Sequence, residues 1–455
     1  MGAGAGLSRG LTLCLMSLVC VPQLALAAFV PAIPAISEHF GAGESDLSRS
    51  MVGYMTAYAA SMILTGHLAD RYGPKRTQLA ALALFAGASA LCLLASGVAV
   101  FIVGRVLQAL GAGAGTVIAR LWVQRELPAQ ERLNVLTALT TVIAVTPAVS
   151  PPLAGLLVQY TSWRSLFACM TALGVATLIG AVFLLPSAGS GDAPPAPAAR
   201  GTEQPDTRAV RAPAARRATD TESRTRIRTK AAGHGSGGLL AAYRNVLADR
   251  DFTMFAITIS LAWCVYFTFT TYSSHAIQTG LGASPVEYGA LYTVVIAGYV
   301  SGSTVAKRLG RARSLEWIAR LAALTAAVAA LAMTAGVQLW PSDPLSLVVP
   351  MGFCMVGVGA MFPTCQAGMM RYRGEHAGAA SGLFFALQMA SGAAYAGVTG
   401  WGGDPGYRGL AVAIAVPALV LLLFCAVMMR SARGSSGGRT AEAPVDSSRG
   451  VSVRS

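Results

Sequence analysis

Arg105 and Gln108 stand three residues apart in an otherwise apolar run, Arg105-Val-Leu-Gln108-Ala-Leu-Gly111. A guanidinium is always charged and presents a planar fork of donors, chemistry suited to a carboxylate or a phosphate. Inside hydrocarbon such a cation is expensive and is expected to face a wet cavity, a partner or backbone carbonyls. Two readings stay open: Arg105 pairs with an anionic group on a substrate, or it hydrogen-bonds to backbone kinked near Pro147. His275 sits among Tyr272, Ser273 and Ser274, where it is either a proton relay or a neutral imidazole satisfied by those hydroxyls. Gln388, with Trp263, Tyr266, Tyr292 and Phe362, is a candidate cavity liner or an interhelical packing residue. No Asp or Glu falls deep within an apolar run. No metal-ligand cluster, nucleophile elbow or phosphate loop is present, and all eight cysteines lie within apolar runs. The sequence therefore predicts neither an enzyme nor a cofactor or metal site.

These residues are carried by elements of one kind. Of the 455 residues, 54% are hydrophobic and 12% charged, against about 25% charged in a soluble domain. The charges cluster and leave apolar runs of about 20 residues, each long enough to cross about 30 Å of hydrocarbon. Spans are expected near 11–36, 50–69, 79–97, 99–123, 133–159 and 163–186, then 252–279, 287–306, 315–339, 345–370, 376–400 and 408–430. Arg71, Lys75, Arg76, Arg125, Arg132, Lys307, Arg308, Arg311, Arg313, Arg371 and Arg373 fall in alternate loops. Glu38, Glu44, Asp46, Glu287, Asp343 and Asp404 fall in the opposite ones. This asymmetry predicts that both termini face the cytoplasm. It also accounts for the net charge of +14 without a nucleic-acid partner. Residues 187–250, rich in Pro, Ala, Ser and Arg, read as a disordered basic cytoplasmic linker, and 431–455 as a disordered tail. The halves are then 1–186 and 251–430. The run beginning at Arg9 has the look of a secretory signal, but it continues through Phe29 to Pro34 and is read as an uncleaved first span.

Three further stretches have informative spacing. Gly66-His-Leu-Ala-Asp70-Arg71-Tyr-Gly73-Pro-Lys75-Arg76 closes span 2, and Ser303-Thr-Val-Ala306-Lys307-Arg308-Leu-Gly310 closes span 8 with the same Ala, Arg and Gly positions. Such a repeat predicts two equivalent six-helix halves. Gly66 is expected to let helices approach closely, and Gly73 to permit the turn into span 3. Span 5 reads Thr146-Pro147-Ala-Val-Ser150-Pro151-Pro152-Leu-Ala154-Gly155, where prolines remove backbone donors and small residues let a neighbouring helix slide.

Together these stretches resemble the major facilitator superfamily. The loop from Gly66 to Arg76 is similar to its G-x-L-a-D-r-x-G-r-[R/K] loop, which implies that Asp70, Arg71, Lys75 and Arg76 latch a closed state. Span 4 is similar to R-x-x-Q-G-x-G-a-A, with Ala109 and Ala112 interrupting the glycines. Span 5 resembles the antiporter element of drug exporters, carried here by Pro147, Ser150, Pro151 and Gly155. Phe29-Val-Pro31-Ala-Ile-Pro34 and the stretch from Gly357 to Met389 resemble the Bcr/CflA group of drug:proton antiporters. The resemblance implies an all-α polytopic fold of about twelve helices in a bacterial inner membrane. It implies a monomer that exports a small amphipathic drug or metabolite, with the proton as coupling ion and the lipid bilayer as its solvent. One departure stands out: the group usually carries an acid where this chain has Ala27. Two alternatives stay open, a dedicated exporter of an anionic metabolite such as a carboxylate siderophore, and a transport-inactive membrane sensor or scaffold.

Overall fold

The chain is described by a computed structural model that covers residues 9–127, 129–185, 243–372, 377–401 and 403–428; some side chains within these segments, including that of Asp70, are not described. The helices are α1 (Arg9–Ala27), α2 (Ile33–Phe40), α3 (Glu44–Tyr72), α4 (Pro74–Leu93), α5 (Val98–Glu126), α6 (Ala129–Tyr160) and α7 (Trp163–Leu184). The second series is α8 (Arg250–Ser274), α9 (Pro285–Leu309), α10 (Leu315–Leu339), α11 (Leu345–Met369), α12 (Ala377–Thr399) and α13 (Gly406–Met428). Among the described residues, nine spans are both long and apolar enough to cross a membrane, the first running from Gly10 to Phe40. The helices α3, α6 and α12, at 29, 32 and 23 residues, also have spanning length. The linker and tail expected at 187–250 and 431–455 lie outside the described residues, except for 243–250, where 243–248 are helical.

Local chemistry sets several boundaries. Gly73 holds φ +86°, a conformation that L side chains rarely adopt, and Pro74 then starts α4 where no N–H is required. Asp249 caps α8 by accepting from the Phe252 N–H at 2.8 Å. A capping box opens α9: the Ser284 hydroxyl accepts from the Glu287 N–H, and the Glu287 carboxylate accepts from the Ser284 N–H.

Pairwise packing repeats between the two halves. In the first, α1 packs on α5, α6 and α7, α3 on α5, and α4 on α5 and α7. In the second, α8 packs on α11, α12 and α13, α9 on α11, and α10 on α11 and α13. These are the same pairs under the correspondence of the first to sixth spans with the seventh to twelfth, as the loop repeat requires. The halves meet along two seams, α6 on α9 and α3 on α12, which the same twofold relation exchanges. Large apolar side chains such as Val103, Phe183, Val328 and Leu423 point outward, while Arg105, Gln108, Ser89 and Gln388 are fully buried. That distribution suits a bundle immersed in lipid.

The first span departs from the continuous helix expected. It stops at Ala27, passes through a 3₁₀ turn at Val30–Ala32 and resumes as α2. Pro31 and Pro34 supply no N–H to the preceding turn, which weakens the helix where it breaks, whereas Pro22 and the α6 prolines are carried within continuous helices. Phe29, Phe40, Phe101, Trp163 and Phe167 hold the broken segment, with ring centroids 5.2 to 6.1 Å apart. The second span starts at Glu44 and reaches Tyr72, longer than the expected 50–69. Its early residues are polar enough to escape a hydropathy reading. The seventh ends in a π-type turn, His275–Thr279. A Cβ at Gly66 would meet no atom within 4 Å, so the close approach expected there is absent from this conformation.

Candidate functional site

Arg105 projects from α5 into the first half. Its Nη1 donates to the Ala25 carbonyl at 3.0 Å and to the Gln108 side-chain oxygen. Gln108 passes the chain on, donating to Ser89 Oγ at 2.8 Å, and Ser89 donates to the Phe85 carbonyl at 2.7 Å. The guanidinium is sandwiched between the Phe29 and Tyr54 rings, at 4.2 and 4.3 Å from their centroids. Its partner is therefore a carbonyl at the break of the first span, where a helix end leaves acceptors without i+4 donors. Of the two readings left open for Arg105, the one with backbone near Pro147 does not apply, because the backbone acceptor is Ala25. Nε and Nη2 have no hydrogen-bond partner among the described residues and face the rings. The glycines that follow let α5 pack on three neighbours. A Cβ at Gly111 would come within 2.6 Å of α4 backbone, at Gly113 within 2.5 Å of Ser61, and at Gly115 within 2.1 Å of the Leu18 carbonyl. That last carbonyl has already lost its usual donor to Pro22.

Next to this strut, a small cavity lies between the halves. Pro22, Gln23 and Leu26 of α1, Tyr54, Met55 and Tyr58 of α3, Trp263 of α8 and Met389 of α12 enclose about 20 Å³, room for about one water. The Tyr54 hydroxyl and the Trp263 indole N–H are buried here without hydrogen-bond partners among the described residues. Buried donors rarely stay unpaired, so this is a place where a ligand or water is wanted. A far larger groove, about 880 Å³, runs along the outer side of the α3–α12 seam past Val52, Ile63, Ala390, Ala394 and Trp401. No charged or titratable side chain lines it, and the polar chemistry sits on the opposite side of the same two helices.

The remaining sequence candidates separate. The hydroxyls beside His275 are committed elsewhere: Tyr272 to the Ala396 carbonyl, Ser273 to Tyr288, and Ser274 to Gln278. His275 Nε2 instead stands 4.0 Å from Asp404 Oδ1 in the loop before α13. Gln278, one turn on, donates across the halves to the Pro31 carbonyl at 3.3 Å, and sequence reasoning did not single it out. Both side-chain polar atoms of Gln388 are buried and without a hydrogen-bond partner among the described residues, and Gln388 is not among the residues that enclose the small cavity. In the loop from Gly66 to Arg76, Lys75 Nζ donates to the Val182 carbonyl at 2.9 Å, Arg71 lies over the Tyr72 ring, and Arg76 is exposed. On α6, Ser150 is buried and the prolines reach the α9 seam: a Cβ at Gly155 would stand 2.3 Å from the Pro285 carbonyl, and one at Gly289 2.9 Å from that of Pro151. Gln159 accepts from the Val286 N–H beside them. Arg120 was missed as well. Its guanidinium lies 4.8 Å from the centroid of Phe385 in the other half. A cation inside an apolar run was the signal, and its place near the helix end masked it.

Two repeated six-helix halves meeting along two exchanged seams are matched by sequence. Residues 15–396 fit the Major Facilitator Superfamily, and the chain belongs to that superfamily. Among curated relatives, multidrug resistance protein MdtL of Escherichia coli O81 (strain ED1a) is 34% identical over 173 residues, 38% of this chain and 44% of that protein. MdtL of Klebsiella pneumoniae (strain 342) is 32% identical over the same extent. The match thus spans less than half the length of these relatives. The crystal structure of a D-xylose-proton symporter shares the fold, with a TM-score of 0.62 at 13% identity, covering 92% of this chain and 98% of that one.

Proposed function

We propose that the protein is a secondary active transporter that exports small amphipathic molecules from the cytoplasm by alternating access, coupled to protons. The observation that carries this reading is the central cavity, with orphaned Tyr54 and Trp263 donors, between two halves whose seams contain residues without side chains. The cavity has room for about one water in this closed conformation, and a ligand admitted as the halves part there would satisfy donors that the protein leaves unpaired. Contact without side-chain bulk at Gly155 and Gly289 suits two bodies that rock against each other. In this conformation the end bearing the acidic loops is joined across the halves by Gln278–Pro31 and Gln159–Val286, so the cavity is shut towards that end. Similarity to multidrug resistance proteins supports efflux as the direction. His275 with Asp404 is the titratable pair placed where external protons would arrive, which supports proton coupling in a chain with Ala27 in place of the usual acid. The halves 1–186 and 251–430, joined by a cytoplasmic linker, are the moving bodies of this reading.

Everted membrane vesicles test it. They should accumulate drug-like dyes against a gradient when acidified inside, and should stop when a protonophore collapses the pH difference. Equal dye levels with and without the gradient would refute coupled export. The latch makes a second expectation. Asp70→Asn should slow this uptake about tenfold or more at unchanged membrane abundance, because it biases a conformational equilibrium and leaves packing intact. Wild-type uptake in that variant would remove Asp70 from the role.

A further inference from the structure

Arg105 and Arg120 both project from α5, separated by about 22 Å at helical rise, yet their surroundings differ in kind. Arg105 is fully buried, hydrogen-bonded and walled in by two rings. Arg120 is only partly buried, and no carboxylate meets it among the described residues. It lies over the half-buried ring of Phe385 and interacts electrostatically with the Tyr58 hydroxyl.

Position makes this informative. Tyr58 lines the central cavity, and its hydroxyl stands 3.4 Å from Thr116 Oγ1 on α5. Arg120 is one helical turn beyond Thr116, towards the end bearing the basic loops. Phe385 is one turn from Met389, another cavity residue, on the same side. The pair therefore lies one turn beyond the lining residues Tyr58 and Met389 on that side and does not itself enclose the cavity. Phe385 belongs to the other half, so the guanidinium reaches across the boundary between the halves.

We infer that Arg120 is the cation that selects substrate, and that the substrate is an amphipathic carboxylate. This rests on the transport reading above and adds a charge preference to it. A guanidinium that meets a hydroxyl and a ring but no carboxylate among the described residues favours an anion and repels a cation. A carboxylate offers it the bidentate, charge-assisted geometry that an aromatic face cannot, so an arriving anion displaces Phe385. The freed ring then covers the apolar body of the ligand. Arg105 holds the Ala25 carbonyl and Gln108 through Nη1 and stands about 22 Å from Arg120 along α5, so it takes no part in this contact.

The test uses two xanthene dyes of similar shape and opposite charge, anionic fluorescein and cationic rhodamine 123, bound to the purified full-length protein in detergent and read by fluorescence polarisation. The wild type should bind fluorescein more tightly than rhodamine 123. Arg120→Gln should weaken fluorescein about tenfold or more and leave rhodamine 123 unchanged or tighter, and Arg120→Lys should recover part of the loss. A residue that merely anchors the helix end would lower the melting temperature without changing the charge preference. Phe385→Leu, which keeps the cation, should retain the preference with weaker affinity for both dyes. Fluorescein binding equal in wild type and Arg120→Gln, or a wild-type preference for rhodamine 123, overturns the inference. Charge-selective binding without vesicle uptake would retire the transport reading and leave Arg120 in place. Rhodamine 123 uptake undiminished in Arg120→Gln, without fluorescein binding, would do the reverse.

Discussion

Arg105→Ala lowers the melting temperature of the purified protein by several degrees while leaving its preference among dyes intact. The variant strands the Ala25 carbonyl and the Gln108 side-chain oxygen without their donor and removes the body between the Phe29 and Tyr54 rings. Each stranded buried acceptor costs about 1–3 kcal/mol, and the two cation–π contacts add about 1 kcal/mol or more. A total loss on the order of 3 kcal/mol is therefore expected from a side chain that touches no lining residue except Tyr54. Arg105→Lys keeps the charge but cannot serve both acceptors and both rings, so it falls between alanine and wild type. Thermal unfolding in detergent, followed by dye binding at low temperature, separates this outcome from its rival. Unchanged melting with a lost preference for anions would return Arg105 to the role of substrate ligand.

Gly155→Leu abolishes transport without reducing the amount of protein in the membrane. At this position even the Cβ of alanine would stand 2.3 Å from the Pro285 carbonyl and 3.0 Å from its carbon, and backbone cannot rotate aside as a side chain can. Overpacking of this kind costs about 1–3 kcal/mol, and here it falls on one conformation only, the one in which α6 and α9 touch at the acidic end. A bias of that size shifts a two-state equilibrium by about 5- to 150-fold, enough to hold most molecules open at that end. Gly155→Ala should slow uptake about tenfold, and leucine should bring it to background. Vesicle uptake normalised to immunoblot abundance is the measurement. Uptake at the wild-type rate in Gly155→Leu would show that the seam does not close during turnover.

Local chemistry in the sequence was legible and long-range geometry was not. Gly73 was readable because a tight turn demands a backbone that only glycine adopts easily, and the structure has it at positive φ. The helices and their repeat followed from apolar length and from the paired loops at Ala69–Gly73 and Ala306–Gly310. Pro31 and Pro34 were in plain view, but an apolar run long enough to span hid the break they make. Arg105 was read at depth, and the backbone acceptor it uses lies 80 positions away on another helix rather than near Pro147. Gly66 was assigned a close contact that depends on where the facing helix stands, and no single chain records that. Cys20, read as a small hydrophobe, also lies 3.4 Å from Thr146 Oγ1 and ties α1 to the proline-rich helix. Gln278 escaped notice because a glutamine in a polar helix end has no spacing that points across a membrane domain.

The break in the first span is gripped from two directions, by Arg105 at Ala25 and by Gln278 at Pro31, and in both cases the atom grasped is a main-chain oxygen. Every residue type carries that oxygen. Side-chain substitution at 25 or 31 would therefore leave both acceptors in place and would not report on these two buried contacts. Sequence comparison is blind in the same way, because the acceptor side of each contact can drift freely while only Arg105 and Gln278 are held. Atomic mutagenesis can see it: an ester in place of the amide bearing the Ala25 or Pro31 carbonyl weakens that oxygen as an acceptor and leaves every side chain as it was.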